Sequence, residues 1–149
     1  MKTAEGLLKI GGVDAFRAGI WKPRTKPGHF EGVGEKALEW LKRVQEELHL
    51  PVITEVITGT QLKQITDHGI QMVWIGARTT SNPVYVQQIA ESIDDTDMRF
   101  LIKNPMHPDV ELWMGAVERI KQAGIRDVSA VHRGFFPIGK SAFRNQLAG

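Results

Sequence analysis

Residues 33–56, VGEKALEWLKRVQEELHLPVITEV, decide the fold. In their first part Val33, Ala37, Leu38, Leu41, Val44 and Leu48 recur at helical spacing, while Glu35, Lys36, Glu39, Lys42 and Arg43 take the other face. The segment then changes character, and 52–56 is a short apolar run of the kind that forms a strand. The same alternation extends outward in both directions. Strands are expected at 14–19, 52–56, 72–76, 99–103 and 127–132, and helices at 33–48, 60–68, 83–92 and 109–123. Gly69 and Gly124 sit where left-handed helix stops belong, and Pro83 and Pro108 sit near helix starts. Residues 4–10 read as the tail of one more helix. Strands that alternate with helices pair in parallel through right-handed crossovers, which leaves a doubly wound sheet or part of an eight-stranded barrel.

One domain, residues 1–149, is what this length accommodates, and 42% apolar with 24% charged residues describes a globular chain. No apolar run approaches the roughly 18 residues of a membrane span, and the start, Met1-Lys2-Thr3-Ala4-Glu5, lacks the apolar core of a signal peptide. A cytoplasmic protein with no membrane partner is expected. The absence of cysteine rules out disulfides and thiolate ligands within the chain. A pI near 9.0 would permit nucleic-acid binding, but the cations are spaced along the sequence and form no run or helix stripe, so no nucleic-acid partner is expected.

Ligands gather at the carboxyl ends of the strands in both candidate architectures. Here those ends carry Arg17, Glu55, Arg78, Lys103-Asn104 and His132-Arg133, and Lys22-Pro23-Arg24-Thr25 follows the first strand closely. A polar strand end alone often marks only the start of a solvated loop. Five in succession, facing one rim, predict a concave site with several cations and one carboxylate, suited to small multiply charged anions.

Other motifs carry less. Gly32-Val33-Gly34 reads as a helix entry, and the five histidines show no paired ligand spacing, with only His132, beside Arg133, a functional candidate. Trp40 and Trp113 read as core or docking residues, Trp21 and Trp74 adjoin the rim, and the methionines suggest only packing.

The segments Phe16-Arg17-Ala18-Gly19-Ile20-Trp21-Lys22-Pro23-Arg24-Thr25, Thr54-Glu55-Val56, Ile75-Gly76-Ala77-Arg78-Thr79-Thr80, Ile102-Lys103-Asn104-Pro105 and His132-Arg133-Gly134-Phe135 follow one another in unbroken order. In that combination the chain resembles the middle of a type I 3-deoxy-D-arabino-heptulosonate 7-phosphate (DAHP) synthase, most closely the bacterial forms fused to a chorismate mutase domain. The Lys-Pro-Arg-Thr segment separates it from the related octulosonate synthase.

The resemblance implies a partial (β/α)8 barrel of about five parallel strands. It also implies an aldol-type condensation of phosphoenolpyruvate with erythrose 4-phosphate, which releases phosphate and opens the shikimate route to aromatic amino acids. By the same resemblance Arg17, Lys22, Ala77, Arg78, Lys103 and Arg133 would bind phosphoenolpyruvate, the amides around Ala77 and Arg78 assisting. Arg24 and Thr25 would grip the phosphate of erythrose 4-phosphate, and Glu55 would orient a water or a substrate proton. Side-chain chemistry suits these roles: arginine offers paired planar donors, while lysine is a compact charge able to move a proton once neighbouring cations lower its pKa. Lys22 is accordingly the expected acid. Pro23 pushes Lys22 toward extended backbone, so Lys22 and Arg24 can address different parts of one site, and Gly76 and Gly134 would let backbone approach a ligand.

A complete barrel takes about 250 residues, and five of eight strands are accounted for in this sequence. The strands outside it, the first and the last two, would carry the family's divalent-metal ligands, a cysteine, a histidine, a glutamate and an aspartate. No metal ligand is therefore assigned in this chain, and its own catalysis is expected to be incomplete. An open parallel sheet with two free edges predicts a homo-oligomer. Two alternatives stand beside the enzyme: a non-catalytic phosphometabolite-binding module, and a half-barrel that needs a complementary chain.

Overall fold

The computed structural model describes residues 1–136. Three of its helices start on a side chain that takes up a first-turn amide. Thr58 Oγ1 accepts from Gln61 N at 3.3 Å, Asn82 Oδ1 from Val84 N at 3.0 Å, and Asp109 Oδ1 from Leu112 N at 2.8 Å. Pro83 adds a preset φ at the second of these starts. In chain order the elements are α1 (Lys2–Ile10), β1 (Phe16–Arg17), α2 (Lys36–Leu48), β2 (Val52–Val56), α3 (Gly59–Asp67) and β3 (Met72–Ile75). They continue with α4 (Ala77–Thr80), α5 (Pro83–Glu91), β4 (Arg99–Lys103), α6 (Val110–Gln122) and β5 (Asp127–Val131). Gly69 and Gly124 follow α3 and α6 at positive φ, as expected, and His49 closes α2 in the left-handed region at φ 50°.

The five strands form one sheet in the order β1-β2-β3-β4-β5, each parallel to the next. A doubly wound sheet reverses its strand order part-way; among the described residues this one does not, which is the arrangement of a barrel. Burial agrees. Val52, Val56, Val73, Ile75, Phe100 and Ile102, alternate residues of β2, β3 and β4, are buried in one core with Leu38, Leu62, Ile89 and Ile120 of the helices. Ile53 and Trp74, on the opposite face by the same alternation, are buried outside that core. Helices therefore cover one face, and the chain folds as part of a (β/α)8 barrel whose inner face is the second.

The expected strands 52–56 and 99–103 are observed with those bounds. Strand 14–19 contracts to β1, because an edge strand has one neighbour and its ladder is short: Phe16 N donates to Pro51 O at 2.7 Å and Ala18 N to Ile53 O at 3.0 Å. The expected single unit over 1–149 includes 137–149, which lie outside the described residues.

Candidate functional site

The loop that leaves β1 is pinned before it reaches α2. Lys22 N donates to Glu31 O at 2.7 Å and Gly34 N to Ile20 O at 3.0 Å. Gly32 makes this closure possible, since it holds φ 102° and a Cβ there would run into Ile20 O. Arg24 is fixed within the loop by its Nε, which donates to Phe30 O at 2.9 Å.

The loop thereby carries Lys22, Pro23 and Arg24 to a cleft of about 250 Å3 at the carboxyl ends of the strands. Glu55 of β2, Ala77 and Arg78 of the first turn of α4, Lys103 at the end of β4, and Met106, Arg133 and Phe136 of the following loops complete its lining. Of the residues singled out from sequence, Lys22, Arg24, Glu55, Ala77, Arg78, Lys103 and Arg133 thus meet in one cavity. Thr25 joins through Arg78, whose Nη2 donates to Thr25 Oγ1 at 3.2 Å. Arg17 lies beside the cleft, with its Cζ 4.1 Å from the Trp74 ring centroid. His132 takes no part in the lining; its ring packs edge-on against Phe135 at 5.3 Å and tilted to Trp113 at 6.4 Å.

Among the described residues Glu55 is the one acid of the lining. Its Oε2 lies beside Gly19, and its Oε1 occupies the space that a Cβ on Gly76 would need. Gly76 thus makes room for a carboxylate, a use of that glycine different from the expected backbone approach to a ligand. Burial pushes the Glu55 carboxyl above its ordinary range, and Lys103, Arg17 and Lys22 pull it partly back. The Trp74 indole also helps to hold the carboxylate, although its Nε1 makes no well-aligned hydrogen bond. Lys103 is pushed down, first by burial, then by Arg17 and Arg133, while Glu55 works against the shift. A lysine held in this way gives up a proton more readily than an exposed one.

Asn104, with 1% of its surface exposed, ties the β5 loop to the β4 loop. Its Oδ1 accepts from Arg133 N at 2.6 Å, and its Nδ2 donates to Pro105 O at 2.8 Å and Gly134 O at 3.1 Å. Sequence reading placed Asn104 at a strand end and within the segment Ile102-Lys103-Asn104-Pro105 but gave it no role, and it read Met106 only as packing. Membership of that segment was the available signal for Asn104, and adjacence to it for Met106.

The divalent ion implied by the resemblance does not fit these residues. Among the described residues no three His, Cys, Asp or Glu side chains converge to hold one. Nor is any helix among them long and apolar enough to cross a membrane.

Comparison with known proteins gives a consistent relationship. A phospho-2-dehydro-3-deoxyheptonate aldolase of Thermotoga maritima is 29% identical over 147 residues, 99% of this chain and 41% of its own length. The crystal structure of a phospho-2-dehydro-3-deoxyheptonate aldolase (DAHP synthase) from Thermotoga maritima superposes with a TM-score of 0.78 at 27% identity, over 97% of this chain and 39% of that one. A truncated form of 3-deoxy-D-arabino-heptulosonate 7-phosphate synthase from the same organism gives 0.76 at 26%, over 99% and 50%. The chain therefore spans between 39% and 50% of the length of these relatives. The model of the DAHP synthetase I family matches residues 1–145, nearly the whole chain, and that match, with a one-sided parallel sheet and a cationic cleft at its strand ends, makes this chain a member of the DAHP synthetase I family.

Proposed function

We propose that the cleft is the substrate-anion site of a DAHP synthase, serving the condensation of phosphoenolpyruvate with erythrose 4-phosphate to DAHP and phosphate. One water is consumed for each phosphate released. The observation that carries the proposal is the convergence of Lys22, Arg24, Arg78, Lys103 and Arg133, from four strand-end loops, on one cleft with one carboxylate. Both substrates are phosphate esters, and a partly enclosed cluster of like charge is stabilised when an anion neutralises it.

In this reading Arg78, Lys103 and Arg133, with the Ala77 backbone, take the phosphate of phosphoenolpyruvate. Arg17 and Lys22 face its carboxylate and reacting carbons. Arg24 and Thr25 take the phosphate of erythrose 4-phosphate, and the Arg78–Thr25 hydrogen bond joins the two subsites. Glu55, whose carboxyl burial pushes above its ordinary range, orients a water or a substrate proton, and Lys103, pushed down by burial, stands with Lys22 as a proton donor. In the complete family enzyme a divalent metal would polarise the aldehyde. Multiply charged esters do not cross bilayers, so a cytoplasmic location accompanies the assignment. Among the described residues β1 and β5 are the outer strands of the sheet, each with one neighbour, which supports self-association into a homo-oligomer.

Calorimetric titration with phosphoenolpyruvate, in parallel with Arg78→Ala, tests the assignment. Saturable binding that the substitution removes is expected; equal or absent binding in both proteins would overturn it. The lack of a converging metal-ligand set among the described residues favours, as a second reading, a phosphometabolite-binding module without catalysis. Product formation from the two substrates separates the two.

A further inference from the structure

Trp74 is 3% exposed, yet it belongs to the sheet face that the helices leave uncovered. Its register partners are Glu55 on β2 and Leu101 on β4. Arg17 Cζ stands 4.1 Å from its ring centroid and Lys103 Nζ 5.0 Å, both within the range at which a cation is drawn to an aromatic face. The two cations come from strands on either side of the β2–β3 pair and repel each other, as the downward push of Arg17 on Lys103 shows. Gly19 meets the rim of the ring: a Cβ there would lie 3.3 Å from Cζ2, so the backbone closes tightly on the indole. The Nε1 is buried without a well-aligned partner.

Packing alone does not call for an indole at this position. Leu101, at the same level of the next strand, and Met72, two residues earlier on β3, fill the same face with aliphatic side chains. Tryptophan adds a π face with negative charge density, the one apolar surface that attracts cations. We propose that Trp74 is a positioning residue of the anion site, a π platform that holds Arg17 and Lys103 together beside the cleft so that both address one small anion. This rests on the substrate-anion assignment above. The platform offsets the repulsion between the two cations before an anion arrives, and Glu55 on the neighbouring strand supplies the remaining compensation.

The test replaces Trp74 in the full chain with site-specifically incorporated mono-, di- and tetrafluorotryptophan, which keep the shape of the ring while draining its π face. One readout needs no ligand: the titration of Lys103, followed by NMR after reductive 13C-methylation, in the presence of the same Arg17, Glu55 and Arg133 charges. Its midpoint is expected to fall stepwise with fluorine number, because the charged form loses its platform. The other readout is phosphoenolpyruvate affinity, expected to drop about fivefold or more across the series. A Lys103 midpoint that does not move with fluorination overturns the platform, whether or not phosphoenolpyruvate binds. A parent protein that ignores phosphoenolpyruvate while the Lys103 midpoint still moves overturns the substrate assignment and leaves the platform standing.

Discussion

Asn104→Ala is the substitution that should weaken both the fold and the cleft. The buried amide makes three hydrogen bonds, to Arg133 N, Pro105 O and Gly134 O, at 2.6, 2.8 and 3.1 Å. Each contributes about 1 kcal/mol net, and a buried group left without its partner costs about as much or more, so the loss is roughly 3 kcal/mol. With an m-value of about 2 kcal/mol/M in urea, the midpoint should fall by about 1.5 M. Urea titration followed by far-ultraviolet circular dichroism at 25 °C reads this directly. Release of Arg133 N should also loosen the loop that carries the guanidinium, weakening phosphoenolpyruvate binding by about tenfold, a factor equivalent to about 1.4 kcal/mol. Asn104→Asp sharpens the test. It keeps an acceptor for Arg133 N but turns a carboxylate toward two carbonyls, and it regains one donor only when protonated. Its deficit should therefore shrink as the pH is lowered toward about 4, the ordinary carboxyl range. A midpoint shift below about 0.5 M with unchanged affinity would refute the tie between the two loops.

Gly76→Ala puts a Cβ into the space of Glu55 Oε1, and a loss of about 1–3 kcal/mol in stability with disrupted phosphoenolpyruvate binding is expected; a neutral result in both urea and calorimetric titrations would show that Glu55 has other room. Glu55→Gln bears on linkage. Burial raises the Glu55 pKa, so the associated stability is present below its ordinary 4.5 and is lost as pH rises through the raised value. The uncharged glutamine escapes that loss, so its urea midpoint should exceed the parent's near pH 7.5 and converge with it near pH 4, and a constant offset would contradict the assignment. Raising salt from about 0.05 to 0.5 M should weaken phosphoenolpyruvate binding several-fold, since part of the cleft is solvent-screened; a salt-independent Kd would deny its cationic character. Phe100→Ala, at a fully buried ring, should cost about 3–5 kcal/mol, and thermal melting that barely moves would misplace the core.

What sequence reading recovered and what it missed follow from range. The strands at 52–56 and 99–103 have sheet neighbours on both sides, which use their apolar runs fully, and 72–76, placed likewise, loses only Gly76, which caps α4. Helix α4 escaped because Ala77-Arg78-Thr79-Thr80 is a single turn, too short to display a period, and its two threonines favour extended backbone. The cations of the cleft were legible because each ends an apolar run. Their mutual contacts were not: Arg78 meets Thr25 across 53 positions, and Asn104 meets Arg133 and Gly134 across 29 and 30. Trp74 read as a rim residue of either character, because the cations that define its role, Arg17 and Lys103, come from other strands.

The two faces of the sheet divide the labour of the chain. Along β3, Val73 and Ile75 turn toward the helices and are completely buried, while Trp74 between them turns toward Glu55, Arg17 and Lys103. The two-residue period of a strand makes that division, so a single substitution can address one face with little effect on the other. Stability resides mainly on the helix-covered face, where apolar area is removed from water. The second face, with its strand-end rim, bears the cost of gathering Lys22, Arg24, Arg78, Lys103 and Arg133 around one carboxylate among the described residues. That cost is relieved when an anion binds. The bound chain should then be more stable than the free one, by an increment that rises with ligand concentration and is largest at low salt. Thermal melting of the parent protein with increasing phosphoenolpyruvate, repeated at high salt, measures it. A Tm indifferent to both would mean that the cluster is already neutralised within the chain, and it would refute the cost assigned to this face.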